Sequence, residues 1–296
     1  MAMTGFKARL HTMRRAFIPA TVMAWMGSAS GALAQTLGRP TDKGLGLQPS
    51  GDGMRDTVAF FHNVILLPII TAISLFVLGL LVWVVIRYNK RSNPTPAKFS
   101  HNTPIEIVWT VVPVLILTVI AAFSFPLLYK YHDTPKADLT IKATGNQWYW
   151  AYEYPDLKVP EYVSNMLPEA QAGSLYKLAV DKPIVVPVGK TVKVLVGGND
   201  VLHAFFIPAF GIQSTAIPGK TNEVWFQTRQ TGKYYGQCNE LCGANHAFMP
   251  IEVDVVTQPE FDAWVAAHAA KPAATTAATP APTTAPAAPA SAPTKA

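Results

Sequence analysis

The sequence predicts a mixed membrane and all-β protein, in which a two-helix transmembrane hairpin is followed by a β-sandwich or Greek-key barrel. Three observations carry this. Two long runs, 64–86 and 107–128, contain no charged residue. Downstream of them, short β-rich runs alternate with turn residues as far as Val256. Half of the 296 residues are hydrophobic and only 14% are charged, an unusual balance for a wholly soluble protein.

Residues 1–34 read as a secretory signal. Lys7, Arg9, Arg14 and Arg15 form a basic start, 16–31 is mostly apolar, and Ala32-Leu33-Ala34 offers a small-x-small cleavage site. Pro19 and the small residues near Gly27 to Gly31 argue against an uncleaved anchor helix. Residues 35–60 form an irregular lead-in, the first part rich in Gly, Pro and polar residues. Residues 61–130 hold the hairpin. At about 1.5 Å per residue, each uncharged run is long enough as a helix to cross the hydrocarbon core. Pro113 and Pro126 would kink or end the second helix unless neighbours satisfy the freed carbonyls. The connecting loop carries Arg87, Lys90, Arg91 and Lys98, consistent with a cytoplasmic side, although Arg39, Lys43 and Arg55 lie on the other flank and the export signal decides the topology more firmly than the charge.

A domain over 137–268 follows. The stretch 138–154 alternates and is rich in β-formers. Similar runs recur at 176–180, 184–187, 191–196, 202–207, 223–227, 233–236 and 251–256, separated by Gly, Pro and Asn punctuation. Residues 259–268 suit a short closing helix. From 269 to 296 the chain is nearly all Ala, Pro and Thr, with nothing large to bury, and reads as a disordered tail.

The charge is segregated. The whole chain is +6, yet 137–268 holds nine Lys or Arg against thirteen Asp or Glu. No basic-aromatic patch points to nucleic acid. There is no phosphate-binding glycine loop, no internal repeat and no Cys-x-x-Cys-His haem attachment.

One loop concentrates the chemistry. Cys238-Asn-Glu-Leu-Cys242-Gly-Ala-Asn-His246-Ala-Phe-Met249 holds the only two cysteines of the chain, with a histidine and a methionine. His203 lies upstream in a strand-like run. Two thiolates, two imidazoles and a thioether suit copper. Two cysteines in one loop can bridge a pair of copper ions, each histidine capping one. Met249 would then ligate one ion weakly, and a backbone carbonyl near Glu240 would complete the other. A closed zinc site from His203, Cys238, Cys242 and His246 is the main alternative. A disulfide in an exported chain is another, but it leaves the histidines without purpose. The remaining histidines, His11, His62, His101, His132 and His268, have no ligand neighbours in sequence.

With the loop, the stretch Gly145-Asn-Gln-Trp-Tyr-Trp-Ala-Tyr-Glu-Tyr154, Asp200-Val-Leu-His203, the hairpin and the leader taken together, the chain resembles subunit II of the haem-copper cytochrome c oxidases, alphaproteobacterial type. Only the tail falls outside the resemblance. It implies a cupredoxin-like barrel in the periplasm, anchored in the bacterial inner membrane. It implies a dinuclear copper A centre held by His203, Cys238, Cys242, His246 and Met249, with the backbone carbonyl of Glu240. The Glu240 carboxylate would bind magnesium or manganese shared with the catalytic subunit, a hard ion suited to a hard oxygen. Trp148 would receive electrons from cytochrome c, and Glu106 would stand at the entrance of a proton-uptake path. Glu153, Asp156 and Asp200 are candidates for steering a basic cytochrome c, in the field of an acidic domain. The implied partners are the catalytic subunit I, subunit III, cytochrome c and the lipid bilayer. A membrane-anchored carrier of copper or zinc is the alternative function. A quinol oxidase subunit of this architecture would lack the copper ligands, and a soluble nitrous oxide reductase domain would lack the hairpin.

Overall fold

The computed structural model describes residues 38–269, so the expected leader (1–34) and nearly all of the expected tail (269–296) lie outside the described residues. Helix α1 spans Gly53–Arg87 and helix α2 spans Thr103–His132. Both exceed the uncharged runs that predict them, because polar residues at a helix end cap it rather than stop it. The Asp52 carboxylate accepts the Met54 N–H at the start of α1. At the start of α2, the Asn102 side chain accepts the Ile105 N–H at 3.3 Å, while Glu106 accepts the Asn102 N–H at 3.1 Å. A π-helical turn, Phe61–Leu66, interrupts α1 and contains His62. Helix α2 runs on through both Pro113 and Pro126. Each proline removes one donor, and neither ends the helix.

The outer domain is built from ten strands in two five-stranded sheets. In chain order these are β1 Leu139–Asn146, β2 Tyr149–Tyr154, β3 Val159–Ser164, β4 Ile184–Pro187, β5 Thr191–Gly198, β6 His203–Ile207, β7 Ile212–Ala216, β8 Asn222–Gln227, β9 Gly232–Cys238 and β10 Pro250–Val256. One sheet has the order β3-β2-β1-β5-β8 and the other β4-β10-β9-β6-β7. The pairs β1–β5 and β4–β10 are parallel; the remaining neighbours run antiparallel. Period-two alternation turns Trp150, Tyr152 and Tyr154 of β2 and Val192, Val194 and Val196 of β5 into the core. Phe205, Ile207, Ile251 and Val253 of the second sheet join them in one buried cluster. A short helix, α3 (Glu169–Ala172), and the closing helix α4 (Gln258–His268) complete the domain.

Three expectations need correction. The run 138–154 is two strands, turning back at Gln147 and Trp148. The run 176–180 is no strand: it follows a 3-10 turn and keeps only an isolated bridge from Val180 to Met166. Conversely, β3 and β7 are strands that the β-former count passes over. The lead-in is irregular only as far as Asp52 and is strapped to the barrel. Tyr235 N–H donates to Gly38 at 2.8 Å, Gly51 N–H donates to Ala209 at 2.8 Å, and the Asp52 carboxylate also accepts the Gln227 N–H. At the other helix end, the Tyr131 hydroxyl donates to the Gly211 carbonyl. The hairpin and the barrel are thus tied at both helix ends.

Candidate metal centre

The cysteine loop is the hairpin connection between β9 and β10, so the register of these strands sets its geometry. Gln237 faces Pro250, which brings Cys238 and Met249 to the base of the loop side by side. Strand β6 pairs with β9 on the other side, with Phe205 opposite Cys238. His203 therefore begins β6 at the mouth of the loop. Within the loop, His246 N–H donates to Gly243 at 3.2 Å and Phe248 N–H to Asn245 at 2.9 Å. Gly243 has φ +123°, and Trp148 packs over the point where a Cβ would stand, so both backbone and space favour glycine.

This arrangement gathers the ligand atoms. His203 Nδ1 is 3.9 Å from Cys238 Sγ, and His246 Nδ1 is 3.6 Å from Cys242 Sγ. The two sulfurs lie 3.9 Å apart, and Met249 Sδ is 3.6 Å from Cys242 Sγ. The Glu240 carbonyl oxygen is 3.3 Å from Cys238 Sγ. Both cysteines are free and buried. His203 is fully buried and Met249 is 2% exposed; His246 is half-buried. Ligand atoms of His203, Cys238 and Cys242 all fall within 4.8 Å of one another.

The set fits copper. A thioether and a carbonyl beside two thiols and two imidazoles exceed what a tetrahedral zinc site uses, and Met249, within the buried core, lays its sulfur against Cys242 Sγ. The electrostatics prepare one thiolate first. Burial would raise the Cys238 thiol, but hydrogen bonding with His203 and the loop backbone overcomes it and brings the thiol down to about 7. Burial and the neighbouring Cys238 push Cys242 up to about 12, so copper loading must displace its proton.

Gly145, Gln147 and Trp150 escaped the sequence reading, which took Asp200 only as a steering acid and Trp148 only as the electron entry. Asp200 Oδ1 sits 2.9 Å from His203 Nε2. A carboxylate only accepts, so the proton lies on Nε2 and Nδ1 is left facing sulfur. Burial raises the Asp200 carboxyl, yet the bonds from His203, Val201 N–H and Gln147 N–H hold it below its ordinary value. Asp200 therefore has a positioning contact besides any steering of a partner. Gly145 packs against the His203 ring, where an added Cβ would stand 2.9 Å from Cγ and Cδ2. Gln147 Nε2 donates to the Cys242 carbonyl at 2.9 Å, Trp148 Nε1 donates to the same oxygen at 3.3 Å, and Trp150 Nε1 donates to Met249 O at 3.3 Å. For Gly145, Gln147 and Trp150 the only signal lay in the Gly-Asn-Gln-Trp-Tyr-Trp stretch itself, and for Asp200 in Asp200-Val-Leu-His203.

The other expected residues lie at graded distances. Trp148 is half-buried against the loop. Glu240 projects its carboxylate to the surface between the cysteines. Glu153 lies further along β2 and is 3.4 Å from Lys142, and Asp156 is exposed in the 3-10 turn beyond it. Glu106 stands at the opposite end of α2, a helix about 45 Å long at 1.5 Å per residue. It is not part of the centre.

The family models for "Cytochrome C oxidase subunit II, periplasmic domain" and "Cytochrome C oxidase subunit II, transmembrane domain" match residues 139–256 and 40–127. A probable cytochrome c oxidase subunit 2 of Rickettsia bellii is 48% identical over 225 residues, covering 75% of this chain and 83% of its own. The cytochrome c oxidase subunit 2 of Cereibacter sphaeroides is 40% identical over 270 residues, covering 83% and 89%. A crystal structure of the periplasmic domain of subunit II of the Bradyrhizobium japonicum cytochrome oxidase is 54% identical, covering 46% of this chain and 96% of that one, with a TM-score of 0.44. With both halves of the molecule matched and relatives aligned across them, the chain belongs to the cytochrome c oxidase subunit II family.

Proposed function

We propose that the chain is the electron inlet of an oxygen-reducing, proton-pumping oxidase in the bacterial inner membrane, taking electrons from cytochrome c at its periplasmic domain. The observation that carries this is the convergence of two cysteines, two histidines, a methionine and a carbonyl at the mouth of one barrel. His203, Cys238, Cys242, His246, Met249 and the Glu240 carbonyl would hold two copper ions. When bound, the copper pair supplies a one-electron relay between the donor and haem in the catalytic subunit.

The chain's own residues do the rest. Cys238 and Cys242 give up their thiol protons on loading. Asp200 holds the His203 imidazole with its proton on Nε2. Burial of His203, Cys238, Cys242 and Met249 keeps water from the sulfurs and limits rearrangement of the ligands. Trp148, bonded to the Cys242 carbonyl and half-exposed, forms the short link from the surface to the loop. The exposed Glu240 carboxylate is available to a magnesium or manganese ion at the boundary with subunit I. Glu106, at the cytoplasmic end of α2, would serve proton uptake there, an ionisable group at the membrane edge. Glu153 and Asp156 would contribute to the field that draws a basic cytochrome c, and subunit III would complete the assembly.

Metal analysis with electron-spin resonance on the purified full chain tests the reading. Two non-exchanging coppers and a seven-line mixed-valence signal are expected. A single labile metal would make it a carrier, and zinc alone, or colourless protein after copper loading and oxidation, would refute it.

A further inference from the structure

A second cleft, unconnected with the copper loop, opens where the hairpin meets the barrel. Its volume is about 280 Å³, and it is lined by Asp52 at the start of α1, Lys130 in the last turn of α2, and Trp225, Gln227 and Arg229 on and after β8. It lies at the outer ends of both helices, and Lys130 stands two residues beyond the uncharged run 107–128, at the edge of the hydrocarbon core.

Most polar groups in the cleft are already committed. The Asp52 carboxylate accepts the N–H groups of Met54 and Gln227. Arg229 Nη1 pairs with Asp56 Oδ2 at 2.7 Å. Two groups remain. Lys130 has no ion pair among the described residues. The Trp225 Nε1–H is buried and has no hydrogen-bond partner. A buried indole N–H ordinarily finds an acceptor. One unneutralised cation and one unpaired donor make a recognition pair for an anion. Within a few residues of the cleft along the helices, on the side of the apolar runs, Phe60, Phe125 and Tyr129 are 58%, 58% and 68% exposed, apolar surface of the kind that suits acyl chains and not a free ion.

We propose that this cleft seats the phosphate of an outer-leaflet phospholipid, with Lys130 as its counter-charge and the Trp225 indole donating to a phosphate oxygen. Lysine and tryptophan at a membrane boundary are suited to these roles. The lipid would brace the junction that Asp52 and Tyr131 already tie. None of this depends on copper, so it stands or falls separately from the electron relay.

The test uses the full chain in its assembled oxidase, reconstituted with phosphatidylglycerol carrying a photoreactive group near the ester of its acyl chain. Cross-links are expected on α2 near Phe125 to Lys130 or on β8 near Trp225. Labelling should fall about fivefold in Lys130→Gln, the effect of one basic residue at a membrane surface. It should also fall in Trp225→Phe, which keeps the ring and removes the N–H. Millimolar inorganic phosphate should not compete. An unchanged copper signal in each variant reports a folded barrel, and unchanged oxygen-reducing turnover reports intact assembly. The proposal is overturned if both variants label like wild type, if the wild type does not label because a neighbouring subunit closes the cleft, or if inorganic phosphate displaces the lipid.

Discussion

The copper loop and the membrane hairpin differ in how much of their function one chain supplies. At the loop, the expected ligands are gathered by several elements of the same fold: β6 brings His203, the register of β9 and β10 sets Cys238 and Met249, and the turn before β2 braces the Cys242 carbonyl. At the hairpin, Glu106 bonds only its own helix cap, and the apolar side chains of both helices face outward. The loop is a site prepared before assembly. The hairpin is a surface whose chemistry waits for neighbours. Mutations at the loop should therefore register in the isolated chain, and mutations at the hairpin only in the complex.

The largest effect is expected from His203→Asn. It removes a fully buried candidate ligand and the imidazole contact of Asp200, so the mixed-valence spectrum should be lost or transformed in the isolated chain. Copper affinity should fall by more than the 10- to 100-fold that a residue behind a ligand typically contributes. An unchanged spectrum would remove His203 from the centre.

Gly145→Ala comes next. The new methyl would meet the His203 ring at 2.9 Å. Overpacking of this kind costs about 1–3 kcal/mol, and the strain falls on a ligand. Thermal unfolding and copper titration should both be affected. Lowered stability with an unaltered spectrum would mean that the ring position is not set by β1.

Asp200→Asn separates orientation from docking. If the carboxylate positions His203, copper affinity should drop about 10- to 100-fold in the isolated chain. If Asp200 acts only on cytochrome c, the copper spectrum should be unchanged and only the salt dependence of electron transfer should shift.

Legibility in the sequence follows the same division. The residues that converge at the loop could be picked out because Cys, His and Met in one loop have few other joint uses. Asp200 could not be assigned its contact with His203, because only the folded turn aims the carboxylate at that imidazole. The hairpin was legible from its charge-free runs, but its true start at Gly53 was hidden by Arg55 and Asp56, which a search for uncharged residues rejects. Strand β3, Val-Pro-Glu-Tyr-Val-Ser, and strand β7, Ile-Gln-Ser-Thr-Ala, carry too few β-formers to stand out; they are held by pairing with β2 and β6. The run 176–180 had the composition of a strand and lacked a neighbour to pair with.

Glu106→Gln tests the other half of the comparison. Glutamine keeps an acceptor for the Asn102 N–H, so the helix cap survives while the charge is lost. The isolated chain should unfold as wild type does and keep its copper spectrum. In the assembled oxidase, proton uptake and turnover should fall. Equal turnover would remove Glu106 from proton uptake, and a changed copper spectrum would mean that the two regions are not independent.

The smallest effect concerns the strands that carry the loop. Lys233 on β9 bonds Glu252 at 2.7 Å and Asp254 at 3.1 Å on β10, the pair of strands whose ends the copper loop joins. Burial lowers the Lys233 pKa, but the two carboxylates outweigh it and hold it above its ordinary 10.5. A base bound more tightly to its proton when folded stabilises the fold fully below about 10.5 and loses that contribution as pH rises through the higher folded value. Buried Tyr152 and Tyr154, whose pKa values burial also raises, weaken the fold over the same alkaline range. The informative quantity is thus a difference, the gap in Tm between wild type and Lys233→Gln. It should stay constant from neutral pH to about 10 and close above it, with the tyrosines cancelling. A gap that persists at higher pH would mean that the lysine stem packs and its charge does not matter.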